Sequence, residues 1–193
     1  MRCRAPPPVR SLRRRAAGRT RCAAVAGAVL AGAGASAEAA SLDAVKAGFV
    51  FNFTKFVSWP AREDEAGQVR LCFERGSISP EAYRELDGKT VRGTTVHTRT
   101  VKGAAGELGA CDLAVFAAGT PPAASVRRAA DRNGVLLIGN GLGFARGGGH
   151  IALMRRGDKL RFRVNLRALR RAGLEVRSGL LRLAEEVIRT GDG

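Results

Sequence analysis

Cysteine and histidine are the residue types in this chain that could support covalent or metal chemistry. The cysteines are Cys3, Cys22, Cys72 and Cys111, and the histidines are His97 and His150. The cysteines form no C-x-x-C pair, and neither histidine lies at a ligand spacing from a cysteine. A metal centre or a catalytic thiol would need such partners, so we expect neither a metal nor a cofactor.

Other catalytic signatures are equally weak. The sequence contains no G-x-S-x-G, H-E-x-x-H or Ser-x-x-Lys motif. Gly88-Lys89-Thr90 has the ending of a phosphate-binding loop, but Tyr83 stands where the first glycine is required. Glu185 and Glu186 are adjacent on a predicted helix and therefore point in different directions, which favours a solvated face. We expect a non-enzymatic protein with no catalytic residues.

A glycine-rich segment remains as a candidate ligand loop. Gly139-Asn140-Gly141-Leu142-Gly143 follows a predicted strand, but the next predicted element is the strand at Ile151 and not a helix. A dinucleotide loop needs that helix, so we reject this function. Gly147–Gly149 predicts a mobile loop, and a ligand-facing loop is the alternative.

The first 37 residues have the composition of an export signal. They contain eight arginines and no acidic residue, and the apolar run from Ala23 ends in Ala35-Ser36-Ala37, a pattern that signal peptidase accepts. The apolar run is shorter than the roughly 20 residues that span a bilayer. We predict a signal peptide over 1–37 and one periplasmic domain over 38–193 that does not span the membrane. Arg13–Arg15 leaves a twin-arginine route open beside the general one.

Removing this leader changes both the charge and the cysteine count. The chain has 33 Lys+Arg against 17 Asp+Glu, a net charge of +16, and loss of the eight leader arginines leaves 25 against 17, or +8. The remaining charges are mixed in sign, so we expect no nucleic-acid partner. Only Cys72 and Cys111 stay, and an oxidising compartment allows them a single pairing. We predict a structural disulfide.

The segment 45–60, VKAGFVFNFTKFVSWP, predicts a helix with an aromatic stripe. Phe49, Phe53 and Phe56 recur at helical spacing, and Trp59-Pro60 is expected to end the helix. A helix that faces the core is the preferred interpretation, and a ligand site is the alternative.

The rest of the chain alternates between strands and helices. Apolar or β-branched runs predict strands at 69–73, 94–101, 112–116 and 135–138, and helices are predicted at 80–86 and 122–133. A β-hairpin over 151–155 and 160–164 is followed by predicted helices at 166–172 and 178–189. The expected fold class is α/β, a single three-layer domain with a mixed β-sheet flanked by helices and a C-terminal β-hairpin followed by helices.

Two blocks of the sequence resemble the YfiR-like family of periplasmic regulatory proteins. The first is the aromatic segment 45–60, and the second is RFRVNLRALRRAGLEVRSGLLRLAEEV at 161–187. Leu71-Cys72 and Cys111-Asp112 lie between them in the family's order, so the likeness covers nearly the whole mature chain. The motif positions, which we expect to be mostly structural, are Phe49, Asn52, Phe53, Phe56, Trp59, Pro60, Phe162 and Asn165.

The resemblance implies a binding protein in the periplasm. Members of this family act as repressors of membrane-bound diguanylate cyclases in cyclic di-GMP signalling, and Cys72 and Cys111 match family cysteines that form a disulfide. The implied partner is the periplasmic domain of a membrane-bound sensor. Partner-facing charges are expected at Arg170, Arg171, Arg177 and Arg182. A homodimer, and a module that binds a small molecule or a cell-wall fragment, stay open as alternatives.

Overall fold

A computed structural model describes residues 32–59, 67–117, 119 and 121–189, with side chains from residue 42 onward. The α-helices are α1 (Gly32–Thr54), α2 (Pro80–Arg84), α3 (Ala124–Asn133), α4 (Leu142–Arg146), α5 (Leu166–Arg171) and α6 (Ser178–Leu183), and a 3₁₀ helix spans Ala105–Ala110. The strands are β1 (Val57–Ser58), β2 (Gln68–Glu74), β3 (Thr90–Val91), β4 (Thr94–Val101), β5 (Leu113–Val115), β6 (Leu136–Asn140), β7 (Ile151–Arg156), β8 (Lys159–Asn165), β9 (Glu175–Val176) and β10 (Glu186–Ile188).

Eight of these strands form one mixed sheet in the order β10-β8-β7-β6-β5-β2-β4-β3. The five strands from β7 to β4 in that order run parallel, and the hairpin strand β8 is antiparallel to β7. The chain passes from β2 to β4 on one side and later returns to β5 on the other side of β2. The sheet is therefore doubly wound, and its order reverses between β2 and β5.

Helices cover both faces of the sheet, as the alternation of side chains along each strand requires. On β2, Leu71 and Phe73 enter one core, whereas Cys72 enters the other. The first core also takes residues from α1, α2 and α6, and the second takes residues from α3, α4 and the 3₁₀ helix. The predicted α/β architecture with helices flanking a mixed sheet is confirmed.

The aromatic helix differs from its predicted bounds at both ends. Helix α1 ends at Thr54, and β1 follows and pairs antiparallel with β9 through Val57 with Val176 and Ser58 with Glu175. The predicted end of the helix at Trp59-Pro60 is wrong, because pairing with β9 makes the backbone extended from Val57 onward. Pro60 lies outside the described residues. The helix starts at Gly32, so the predicted cleavage point after Ala37 falls within it.

The C-terminal segment also differs from its prediction. The expected helix at 178–189 ends at Leu183, and the chain then becomes strand β10, which pairs parallel with β8. That pairing gives hydrogen-bond partners to backbone groups that β8 would otherwise leave at a sheet edge. Glu185 and Glu186 therefore lie beyond the end of the helix. Glu185 forms an ion pair with Arg156 at 3.0 Å, and Glu186 forms one with Arg146 at 3.4 Å.

The glycine-rich segment contains a helix that the sequence pattern did not predict. Helix α4 follows Gly141, and the ring of its Phe144 packs against Gly139 and Gly149. A Cβ atom at either glycine would overlap with that ring. The expectation that a strand follows directly is wrong, because the glycines serve the close packing of Phe144.

Candidate functional site

Cys72 and Cys111 are joined by a disulfide, as predicted. Cys72 lies on β2 and Cys111 lies two residues before β5, with their Cα atoms 5.8 Å apart. Both residues are fully buried in the second core. The bond closes a loop over a sequence separation of 39 residues. Its position between two interior strands indicates a structural role.

The two motif blocks meet in the first core. Phe53 is 2% exposed, and its ring makes edge contacts with Phe49 at 6.0 Å and with Phe162 at 5.1 Å between centroids. Phe162 comes from β8, so helix α1 packs directly on the hairpin. Asn52, on the same helix, is exposed and accepts a hydrogen bond from Lys55. Phe56 is half-buried and contacts α6 near Gly179.

Trp59 connects the end of the aromatic segment to the disulfide region. Its indole Nε1 donates to the backbone oxygen of Asp112. The Asp112 carboxylate accepts hydrogen bonds from the backbone N and the guanidinium of Arg70, at 2.7 Å and 3.1 Å. No local pattern signals this contact, because 53 residues separate Trp59 from Asp112.

Asn165 has two buried hydrogen bonds. Its Oδ1 accepts from the backbone N of Ala168 at 2.9 Å and thereby caps α5, and its Nδ2 donates to the backbone oxygen of Ala145 at 2.7 Å. The residue is 6% exposed. Asn165 thus ties the start of α5 to α4, which explains why an amide that both donates and accepts occupies this position.

The four arginines expected to face a partner lie along one segment, 166–183. Arg170, Arg177 and Arg182 are exposed, and Arg171 is also exposed but forms an ion pair with Asp131 at 3.5 Å. The same segment carries Leu183, which is 63% exposed. We call these exposed residues, Arg170, Arg177, Arg182 and Leu183, the α5–α6 face. Its role in binding a partner stays a prediction.

The two histidines lie in separate environments. His150 is 1% exposed, and its Nδ1 accepts a hydrogen bond from the backbone N of Leu137 at 2.9 Å, whereas His97 is exposed on β4. Burial, helped by the nearby charge of Arg171, lowers the pKa of His150 to about 3. Among the described residues, no group of three or more His, Cys, Asp or Glu could hold a metal ion.

A cleft of about 520 Å³ opens at the carboxyl ends of the parallel strands. It lies where the strand order reverses between β2 and β5, the position at which doubly wound sheets bind ligands. No local sequence pattern indicates this cleft, because its walls come from five separate parts of the chain. It is lined by Leu42, Lys46, Gly76, Ser77, Ala117, Asn140, Gly141, Leu142, Leu153, Met154, Arg155, Arg156 and Leu160.

Within the described part of the chain, every helix is too short or too polar to cross a bilayer. No curated protein matches the chain significantly. Among solved structures, the chain is similar to an ABC domain in complex with L-Trp from Streptococcus pneumonia, with 12% identity and a TM-score of 0.39. The similarity covers 62% of this chain and 55% of that structure, so the chain spans about half of its length.

A family model described as YfiR/HmsC-like matches residues 43–185. The match includes both cysteines of the disulfide, the whole aromatic segment and the second motif block up to Glu185. This agrees with the resemblance that the sequence motifs indicate. The chain belongs to the YfiR/HmsC-like family.

Proposed function

We propose that this protein is a periplasmic, non-enzymatic regulator that binds the periplasmic domain of a membrane-bound diguanylate cyclase and restrains its activity. The observation that carries this proposal is the family match over residues 43–185, since the family supports a periplasmic regulator of diguanylate cyclases in general. The buried disulfide between Cys72 and Cys111 fits an oxidising compartment.

Such a regulator must act through the conformational equilibrium of its partner. A domain that lies outside the membrane transmits a signal only by binding one state of a membrane protein more tightly than the other. A tenfold shift between the active and inactive states needs a difference in binding free energy of about 1.4 kcal/mol. A small exposed surface with one apolar anchor and several charges is sufficient for that difference.

The α5–α6 face has this composition. Leu183 is an exposed apolar residue of this face, and the exposed side chains of Arg170, Arg177 and Arg182 give the same segment positive charge. Charges of this kind orient a partner and raise its rate of association, whereas the buried apolar contact supplies most of the affinity. We therefore assign the sensor-binding surface to this face and expect acidic residues opposite it.

Capture from membranes tests the proposal. The exported protein, tagged at its C-terminus, is incubated with detergent-solubilised membranes of the source organism, and bound proteins are identified by mass spectrometry. We expect enrichment of a membrane-bound sensor with a diguanylate cyclase domain. If no such protein is enriched over a tag-only control, the proposed function is wrong.

Charge reversal tests the assignment of the surface. Arg177→Glu combined with Arg182→Glu should reduce capture about tenfold, because both changes place like charges opposite the expected acidic residues. The matched control is Arg84→Glu combined with Arg99→Glu, which alters exposed arginines on α2 and β4. Equal capture by the two double variants would remove the α5–α6 face from the interface.

A further inference from the structure

We propose that the cleft at the carboxyl edge of the sheet binds a small uncharged molecule with an apolar body and one hydrogen-bonding group, such as the primary amide of a medium-length acyl chain. Its volume of about 520 Å³ is in the range of small-molecule sites. The cleft shares no lining residue with the α5–α6 face, so this inference goes beyond the binding of a sensor. Three features carry it: charged side chains that are already engaged, a buried hydroxyl group without a partner, and an apolar wall.

Two of the cations that line the cleft have carboxylate partners. Lys46 contacts Asp43 at 3.1 Å. Arg156 contacts Glu185 at 3.0 Å. Asp43 is itself held in place, because it also accepts a hydrogen bond from the backbone N of Ser79 at 2.8 Å. An anionic ligand would have to displace these carboxylates or lie beside them.

The other charged groups at the cleft are engaged as well. The Nε of Arg155 donates to the backbone oxygen of Gly157 at 2.9 Å. Glu74 accepts a hydrogen bond from the backbone N of Ala117 at 2.7 Å, which places a carboxylate at the cleft wall. A charged ligand loses its hydration on entering such a site and gains no new ion pair in return. The cleft therefore favours a ligand without charge.

Ser77 is the second feature. Among the described residues that line the cleft, it has the one polar side chain without a hydrogen-bond partner, and it is 2% exposed. A buried hydroxyl without a partner destabilises the folded state, and most buried polar groups avoid this. A carbonyl or hydroxyl oxygen of a ligand would accept the hydrogen bond that Ser77 lacks, and it would bring no charge into the cleft.

Leucine side chains form the apolar wall. Leu42 comes from α1, Leu153 and Leu160 come from the hairpin, and Leu142 at the start of α4 is 48% exposed. An alkyl chain placed against these side chains would remove apolar surface from water. The cleft thus combines an apolar wall with one neutral hydrogen-bonding group, which is the arrangement that an uncharged amphipathic molecule requires.

Titration with octanamide, followed by ¹H–¹⁵N NMR on protein purified from the periplasm, tests the proposal. We expect saturable shifts that are largest for the backbone amides of Gly76, Ser77, Ala117, Gly141 and Leu142. Octanoate has the same chain with a negative charge, and at neutral pH it should bind about tenfold more weakly, because its lost hydration is not replaced. The absence of saturable shifts, or octanoate binding as tight as that of octanamide, would overturn the proposal.

A variant of Ser77 separates binding from folding. Ser77→Ala should weaken octanamide binding about fivefold, because it removes one hydrogen bond to the ligand. It should leave the melting temperature unchanged or raised, because the lost hydroxyl has no partner among the described residues of the free protein. Full binding by this variant, or a lowered melting temperature, would contradict the role given to the hydroxyl.

A pair of leucine variants tests the apolar wall. Leu142→Ala should weaken octanamide binding about fivefold, because it removes apolar surface that the chain would cover. Leu183→Ala is the matched control, since Leu183 is also an exposed leucine but lies outside the cleft, and it should keep full affinity. Equal affinities of the two variants would contradict the site. None of these results depends on capture of a membrane sensor.

Discussion

The indole Nε1 of Trp59 donates a hydrogen bond to the backbone oxygen of Asp112, with the two atoms 2.8 Å apart. Asp112 directly follows Cys111 of the disulfide and accepts hydrogen bonds from Arg70 on β2. One side chain therefore joins the end of the aromatic segment to the interior of the sheet. This hydrogen bond accounts for a tryptophan at position 59 better than the predicted end of a helix does.

Trp59→Phe should lower the free energy of unfolding by about 1 kcal/mol, because it keeps most of the aromatic surface but removes the donor. The loss is moderate because the Asp112 oxygen also accepts from the backbone N of Leu136. Urea denaturation followed by circular dichroism measures it, since Trp59 is the only tryptophan and the variant has no indole fluorescence. Unchanged stability would show that the indole hydrogen bond is not needed.

The disulfide should stabilise the domain by about 4 kcal/mol, because it constrains the unfolded chain over a loop of 39 residues. Replacing Cys72 and Cys111 together with alanine should therefore lower the melting temperature by roughly ten degrees. Wild-type protein unfolded and refolded under reducing conditions is the control and should show the same loss. Equal stability of the oxidised and reduced proteins would contradict a structural role.

Phe53→Ala should lower the free energy of unfolding by about 3–5 kcal/mol, because it removes the ring that packs between α1 and the hairpin and leaves a cavity there. Phe51→Ala is the matched control on the same helix. Phe51 is half-buried and contacts Lys55, so its removal should cost clearly less. If Phe53→Ala left the melting temperature unchanged while abolishing capture of a membrane sensor, the aromatic segment would be a binding surface and not part of the core.

His150 should make the domain less stable in acid. Because burial lowers its folded-state pKa from 6.5 to about 3, the unfolded chain binds a proton that the folded chain does not. This contribution to stability is complete above pH 6.5 and falls as the pH drops towards 3, by about 2 kcal/mol between pH 7 and pH 5. The measurement is urea denaturation across this range.

His97→Gln, which changes the exposed histidine, should keep the full pH dependence. NMR of the imidazole gives a direct check, and the His150 ring should stay neutral down to pH 5. Titration of His150 near its ordinary pKa would contradict the buried environment.

The sequence predicts correctly those elements whose pattern is local. Strand β4 has the predicted bounds, and Gly134 ends α3 with a positive φ of 61°, as a helix-ending glycine should. Phe162 and Val164 of the hairpin both face the first core, because their alternation matches the period of a strand. The disulfide follows from counting the cysteines that would remain after removal of the predicted leader.

The errors at the end of α1 and in the C-terminal segment have a common cause, which is pairing between distant segments. Val57 becomes extended because it pairs with Val176, and Val187 joins a strand because it pairs with Val164. Nothing near either residue in the sequence predicts these partners. The cleft has no local sequence pattern for the same reason, since Lys46, Ser77 and Arg155 come together only when the doubly wound sheet has formed.

The most direct test of the account is the cyclic di-GMP content of the source organism with and without this protein. We predict that deletion of the gene raises cyclic di-GMP, and that the full chain restores the original level. A version without residues 2–37 should stay in the cytoplasm and fail to restore it, because the proposed partner surface is periplasmic. Cyclic di-GMP unchanged by deletion, or restored equally by the version without the leader, would contradict regulation from the periplasm.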